Sequence, residues 1–192
     1  MLENKPKQLA LFIILTSLCL AIQLTPRPPN VEFTSLFTFL VGVLWGVVVG
    51  VVFGAFVMFV NAFLSPWGYA GLNMPFQVVG IAIIGIVGGL YGRFTIEEDF
   101  VRRGYETAIL GAFSTLIYDL ITNFGVAFSY ILAGVDPALA VFTSLSAGAI
   151  FSLIHIGSNV VVFGALSTPL LLTFRKLIGG EVSRYWKKEP FS

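Results

Sequence analysis

The sequence predicts an all-α, polytopic membrane protein that forms a single integral membrane domain over residues 1–192. The chain is 57% hydrophobic and only 11% charged, whereas an average soluble domain carries roughly 25% charged residues. So few charges cannot cover the surface of a water-soluble fold of this size, and most of that surface must therefore face lipid. The net charge of +1 indicates neither a nucleic acid nor an acidic protein as partner.

Apolar runs separated by breakers or charges divide the chain into six predicted transmembrane helices. A helix crosses the hydrocarbon core in about 20 apolar residues. The run over 31–64 is too long for one span and too short for two spans with a loop, so we expect two helices joined by a tight turn near 42–46. The last run could be tilted, kinked near Gly148 or Gly157, or split in two. The predicted spans cover residues 9–24, 33–45, 46–64, 75–92, 107–133 and 138–174.

Basic residues predict the orientation of these spans. Lysines and arginines lie before the first span, in the 93–106 linker and after the last span, and outside these places only Arg27 remains. Because lysine and arginine favour the cytoplasmic side of span ends, we expect both termini to be cytoplasmic, with the chain in the plasma membrane. Two cytoplasmic ends require an even number of spans, which agrees with six.

Polar side chains inside the predicted spans form the candidate site, because such groups are costly in lipid and are functional by default. Asp119 and Asn123 lie one helical turn apart in span five, with Tyr130 near the same stripe, and His155 and Asn159 lie one turn apart in span six. Spans five and six are antiparallel neighbours, and counting from their basic ends places these groups in the outer half of the membrane. They can therefore converge on one outward cavity.

The 65–74 loop, which is predicted to face outside, could close over this cavity and stack on a flat ligand. Together the loop and the spans predict a substrate site made of Trp67, Tyr69, Asn73, Gln77, Asp119, Asn123, Tyr130, His155 and Asn159. Glu32 stands at the outer mouth of span two.

Simpler interpretations of these residues stay open. Trp67 and Tyr69 are also typical of an interfacial aromatic belt. Asp119 and His155 could form a purely structural lock or a proton relay. Asn61 and Gln77 could be helix caps rather than ligand contacts.

No motif for catalysis, phosphate binding or metal binding occurs in the sequence. There is no Gly-rich phosphate loop with lysine, no G-x-S-x-G and no H-E-x-x-H. One histidine, one cysteine (Cys19) and scattered acids make no metal-ligand set. We therefore expect no enzyme activity, no metal and no cofactor.

Glycine is dense in spans two to four, and Gly42, Gly46, Gly50 and Gly54 recur every four residues. Small residues let helices approach closely in lipid, where packing drives their association. The spacing indicates close packing within the chain, or alternatively a surface on which a partner helix can slide.

The run from Phe39 to Gly54 resembles the glycine-spaced second and third helices of S components, the substrate-binding membrane subunits of energy-coupling factor (ECF) transporters. Residues 111–123 resemble the fifth helix of that family, and residues 153–159, running into Pro169, resemble its last helix. The resemblance covers roughly residues 8–176.

This resemblance implies a six-helix, S-component-like bundle that binds a vitamin or related micronutrient from outside. It implies as partners a membrane coupling protein and two ATPase subunits. It also implies small residues four apart on the first helix as the docking surface for the coupling protein. Ala10 is followed at that spacing by Ile14, whereas Ser17 and Ala21 form such a pair.

Two other classes of function remain open. One is a stand-alone secondary transporter that uses Asp119 and His155 for proton coupling. The other is a multispan envelope scaffold protein without a ligand, which would not need four polar side chains facing one cavity.

Overall fold

A computed structural model describes residues 5–26, 28–95 and 100–178, and the regular structure in these ranges is helical. This confirms the all-α prediction for the described part of the chain. The helices are α1 (Lys5–Leu24), α2 (Thr34–Trp45), α3 (Val47–Leu64), α4 (Met74–Phe94), α5 (Phe100–Leu132) and α6 (Pro137–Leu177), with a 3-10 turn at Gly71–Asn73 before α4.

Five of these helices, α1 and α3 to α6, are long and apolar enough to cross a membrane. Large apolar side chains cover their outward faces, as at Val48, Phe142 and Leu153, which are at least 70% exposed. These features are those of a multi-pass membrane protein. Helix α2 differs: its 12 residues extend only about 18 Å, less than the hydrocarbon core of about 30 Å.

A single residue, Gly46, connects α2 to α3. Its φ of 91° lies in the left-handed region, which glycine adopts without the steric cost of a side chain. Beyond this turn the two helices run antiparallel, since Gly50 lies against Gly42 and Gly54 against Thr38. The predicted tight turn is therefore present, at the end of the expected interval.

Helix α4 packs against this hairpin with backbone touching backbone. A Cβ atom placed on Gly42 would lie 2.6 Å from the carbonyl oxygen of Gly85 and 2.8 Å from the amide nitrogen of Gly89. On the α3 side, a Cβ atom on Gly85 would lie 2.5 Å from the carbonyl carbon of Gly50. The recurring glycines thus serve packing within the chain, and residues 34–44 of α2 are buried throughout.

Helices α5 and α6 form a long antiparallel pair. They contain 33 and 41 residues, or about 50 and 62 Å. Helix α6 is continuous, neither Gly148 nor Gly157 divides it, and Pro169 lies inside it. Polar side chains of the two helices meet at successive levels along the pair. Ser167 contacts Thr107, Asn159 contacts Thr115 and His155 contacts Asp119.

The alternation of helix directions brings residues 25–26 and 28–33, the 65–73 loop and the 133–136 turn to one end of the bundle, which we call the loop end. Segment 28–33 runs back into the protein there: Glu32 is buried, and Asn30 donates a hydrogen bond to the backbone oxygen of Phe151 on α6 (2.9 Å). This segment occupies space that a longer α2 would fill, which explains why α2 is short.

We expect Gly42→Ala to destabilise the protein by about 1–3 kcal/mol, because the added methyl group meets backbone atoms that cannot rotate away. The apparent melting temperature of the purified protein in detergent measures the effect. Gly157→Ala is the matched control: a Cβ atom there meets nothing within 4 Å, and alanine favours the helix by up to about 1 kcal/mol. Equal melting temperatures for Gly42→Ala and the parent protein would contradict this account of the packing.

Candidate functional site

The centre of the candidate site is His155, which is only 4% exposed. Its Nδ1 atom lies 2.7 Å from Oδ1 of Asp119 on α5, and its Nε2 atom lies 3.3 Å from Oε1 of Glu32. The imidazole therefore joins α6 to α5 on one side and to the 28–33 segment on the other. We call Glu32, His155 and Asp119 the carboxylate–histidine cluster.

Glu32 owes its position to the chain entry into α2. Its Oε2 atom accepts a hydrogen bond from the backbone amide of Ser35 (2.9 Å), and its Oε1 atom accepts one from Nδ2 of Asn159 (3.3 Å). Hydrogen bonds of this kind favour the ionised form of a carboxyl group, so the contacts of Glu32 are those of a carboxylate acceptor.

The hydrogen bonds also constrain the protons in the cluster. A neutral imidazole donates from only one of its two nitrogens, whereas both nitrogens of His155 face carboxylate oxygens. A protonated imidazole donates to both carboxylates, and a neutral one donates to a single carboxylate. With two carboxylates and one imidazole, the cluster as a whole carries a net negative charge in either state.

Asn159 continues the cluster one helical turn along α6. It is fully buried, and its Nδ2 atom donates to Oγ1 of Thr115 (2.8 Å) as well as to Glu32. It lies behind Glu32 and is not among the described residues that line the two cavities beside the cluster. Its contacts are those of a residue that positions the Glu32 carboxylate.

A cavity of about 340 Å³ opens at the loop end beside this cluster. We call it the loop-end cavity. Its floor contains Glu32, His155 and Tyr118, and the ends of α3 and α4 supply Asn61 and Gln77. The other lining residues include Gln23, Asn30, Ser35, Met58, Ser65, Trp67, Tyr69, Asn73 and Ile81.

Three residues that line this cavity have a buried amide oxygen without a hydrogen-bond partner, namely Asn61 (Oδ1), Asn73 (Oδ1, which lies against Gly125 on α5) and Gln77 (Oε1). Asn61 is only 9% exposed, and its Nδ2 atom points to the sulfur of Met58 at 3.7 Å. Neither Asn61 nor Gln77 caps a helix with its side chain, since the flanking cap positions are Ser65 and Asn73. A buried acceptor without a partner is costly, so these oxygens are suited to pair with donors of a bound molecule.

The 65–73 loop lies over the cavity and carries two aromatic side chains on its lining. Trp67 and Tyr69 are 60% and 65% exposed, so their rings are only partly covered. The backbone amide of Ala70 donates to the backbone oxygen of Ala62 (2.9 Å), and the ring of Tyr69 lies 5.3 Å from that of Phe63. These contacts hold the loop against the end of α3.

A smaller cavity of about 230 Å³ lies between α5 and α6, and we call it the side cavity. Asn123, Thr122 and Ser152 line it, together with Asp119, whose Oδ2 atom is buried and has no hydrogen-bond partner. The two cavities share a wall made of Asn30, Asn73, Gln77, Tyr118 and His155.

The structure brings together most of the residues predicted from the sequence. The loop-end cavity takes five of them: Trp67, Tyr69, Asn73, Gln77 and His155. Asp119 and Asn123 line the side cavity, and Asn159 lies behind the cluster. Tyr130 lines neither cavity, is 42% exposed, and its backbone oxygen accepts a hydrogen bond from Val135 in the 133–136 turn.

Several lining residues were not among the predicted ones. Glu32 lies before α2, and its contact with His155 joins residues 123 positions apart, which local spacing cannot reveal. Tyr118 precedes Asp119 in the sequence, and its ring meets that of His155 edge-on at 5.7 Å. Met58 has no polar signal at all. Glu32 and Asn61 were the members of this group with a detectable signal, as an acid at the outer mouth of one predicted span and an amide at the end of another.

Within the described residues, no group of three or more histidine, cysteine or acidic side chains is arranged to hold a metal ion. The members of the carboxylate–histidine cluster lie in a row, with the imidazole between the carboxylates, and do not converge on a point. Comparison of the chain with protein-family models, with curated proteins and with solved structures gives no match.

We expect Glu32→Ala to destabilise the protein by about 3–5 kcal/mol, because it leaves a buried polar network without its acceptor. His155, Asn159 and the Ser35 amide each lose a partner. The apparent melting temperature measures the loss. Asp136→Ala is the control: it removes one helix-capping hydrogen bond to Leu139, worth about 1 kcal/mol. If both variants melt alike, the cluster does not stabilise the fold.

Proposed function

We propose that this chain is a high-affinity S component, the substrate-binding membrane subunit of an ECF-type importer for a vitamin or related micronutrient. The observation that carries the proposal is the loop-end cavity, three of whose lining residues have a buried amide oxygen without a partner. A protein that only supports other envelope proteins gains nothing from unpaired buried acceptors, each of which costs about 1–3 kcal/mol. A ligand with matching donors removes that cost.

The size and lining of the cavity support a small-molecule ligand. Its volume of about 340 Å³ falls in the range of roughly 300–1,000 Å³ that is typical of small-molecule sites. Trp67 and Tyr69 offer flat surfaces on which a ring can stack, and the amides of Asn61 and Gln77 can orient it. These features favour a heterocyclic compound with several hydrogen-bond donors.

We further propose that the chain crosses the membrane six times, with both termini cytoplasmic and the loop end outside. Basic residues near 93–103 and 175–176, at the opposite end to the 65–73 loop, support this orientation. Helix α2 would be the sixth crossing, short because its loop-end part is replaced by the 28–33 segment. A cysteine placed at Ala70 would then react with an impermeant reagent from outside intact cells, and labelling only after lysis would contradict this orientation.

The energy would come from partner subunits, since the sequence contains no phosphate-binding loop. Helix α1 supports a docking surface for the coupling protein. Its Leu15 and Cys19 face the bundle, whereas Ser17 and Ala21 are exposed on the opposite side. Small exposed residues four apart allow a partner helix to approach closely.

A stand-alone proton-coupled transporter is the second candidate function. The observation that favours it is His155 between two carboxylates, because chains of acidic groups and histidine are typical of proton relays in membrane transporters. In this alternative, Asp119 and His155 would exchange a proton during each transport cycle.

Uptake measurements separate the two candidates. For an S component, we expect accumulation of the co-purifying small molecule, identified by mass spectrometry, only when a coupling protein and two ATPase subunits are co-expressed. Accumulation by this chain alone in vesicles, driven by a pH difference, would instead establish the secondary transporter. An ATP-site variant of the ATPase subunits is the control for energy dependence.

We expect Asn61→Ala to weaken binding of the co-purified molecule by about tenfold to a hundredfold. In the empty protein the same change should cost little stability, because it removes an oxygen that has no partner. Calorimetric titration and the ligand-free melting temperature measure the two effects.

Val161→Ala, on the lipid-facing side of α6 at 67% exposure, is the control and should bind like the parent protein. Unchanged affinity in both Asn61→Ala and Gln77→Ala would place the ligand elsewhere.

A further inference from the structure

The polar groups around the loop-end cavity carry a net negative charge. The carboxylate–histidine cluster contains two carboxylates and one imidazole, and its net charge is negative whether the imidazole is neutral or protonated. Among the described residues that line the loop-end and side cavities there is no lysine or arginine to offset it. Arg27 lies outside the described residues. An anionic ligand group placed in this cavity would be repelled, and a cationic group would be attracted.

The unpaired atoms at the two cavities point to the same kind of ligand. Oδ1 of Asn61, Oδ1 of Asn73, Oε1 of Gln77 and Oδ2 of Asp119 are buried acceptors without partners. A carboxylate oxygen accepts and does not donate when it is ionised. A ligand that satisfies this set must supply N–H or O–H donors, and a carboxylate or phosphate group supplies none.

Aromatic faces form the third element of the site. Trp67 and Tyr69 in the 65–73 loop and Tyr118 on α5 line the loop-end cavity. The face of an aromatic ring attracts a cation, most strongly for tryptophan. The rings therefore favour a positively charged, flat ligand over a neutral ligand of the same shape.

From these three observations we infer that the ligand is a flat organic cation that also bears N–H donors, with its charge close to the Glu32 carboxylate. The inference rests on the proposed function only in taking the loop-end cavity as the substrate site. Asp119 then contributes in two ways: its charge attracts the ligand across the shared wall, and its free oxygen accepts from a donor that reaches the side cavity.

Three probes that share a pyridine ring and a methyl group test the charge preference. They are 1-methylnicotinamide, a cation; 6-methylnicotinamide, which is neutral; and 6-methylnicotinate, an anion. Calorimetric titration of the purified full chain at neutral pH should give the tightest binding for the cation. We expect it to bind at least about tenfold more tightly than the neutral amide, with the anion weakest.

Removing one charge from the cluster should reduce this preference. Asp119→Asn removes one carboxylate from the cluster and so lowers its negative charge, and the ratio between the cation and the neutral amide should therefore fall. Glu32→Gln is a second variant with the same expectation, in case the first does not fold. Glu106→Gln is the control, since Glu106 pairs with Arg102 at the opposite end of α5 and should leave the ratio unchanged.

A cation that binds no more tightly than the neutral amide, including the case in which no probe binds, would overturn the inference. A ratio that persists in both charge variants would overturn it as well. These results leave the proposed function separately testable. If the co-purified molecule is neutral or anionic and its binding still depends on Asn61, the proposal of an importer subunit is retained and the inference of a cationic ligand is wrong.

Discussion

The hydrogen bonds of His155 to Asp119 and Glu32 organise this end of the protein, because charged groups buried in an apolar bundle must be paired. Each partner comes from a different part of the chain: Asp119 from α5, Glu32 from the segment before α2, and His155 from α6. Moving any of these segments would leave a buried charge without its partner. The cluster thereby fixes where the 28–33 segment enters the bundle and where the loop-end cavity can form.

The glycine contacts of α2, α3 and α4 provide a rigid base below this cluster. Gly42, Gly50 and Gly85 bring the three backbones into direct contact, and dispersion between closely packed atoms replaces the hydrophobic effect that lipid does not supply. The outer ends of α3 and α4 are consequently held in place, and with them Asn61 and Gln77. A pocket whose polar groups are positioned before a ligand arrives loses less entropy on binding.

The same pairing explains why the two candidate functions share one set of residues. A histidine between carboxylates can stabilise a structure, attract a cation or transfer a proton. Of these roles, only proton transfer requires its protons to move during a transport cycle. The cavities beside the cluster favour ligand binding, because unpaired acceptors such as Oδ1 of Asn61 and Oδ2 of Asp119 are present in addition to the paired ones.

Much of the fold was predictable because lipid imposes strong local rules. Apolar length gave the positions of the helices to within a few residues at most ends, and four-residue spacing placed Asp119 and Asn123 on one face of α5. The pairing of Asp119 with His155 was foreseeable, since adjacent antiparallel helices bring residues of similar depth together. The shortness of α2 was not, because the composition of residues 25–33 contains no sign that this segment re-enters the protein.

The sequence by itself determined that this is a multi-pass, all-helical membrane protein with polar groups at one depth of α5 and α6, because hydrophobicity and helical periodicity are local properties. Only the tertiary structure decided that Glu32 completes the cluster, that Asn159 lies behind it, and that Tyr130 lines neither cavity. Those outcomes depend on where distant segments meet and on how each helix is rotated. The spacing of residues along one helix does not specify where distant segments meet or how a helix is rotated. The backbone contacts at the glycines and the pairing of buried charges set both.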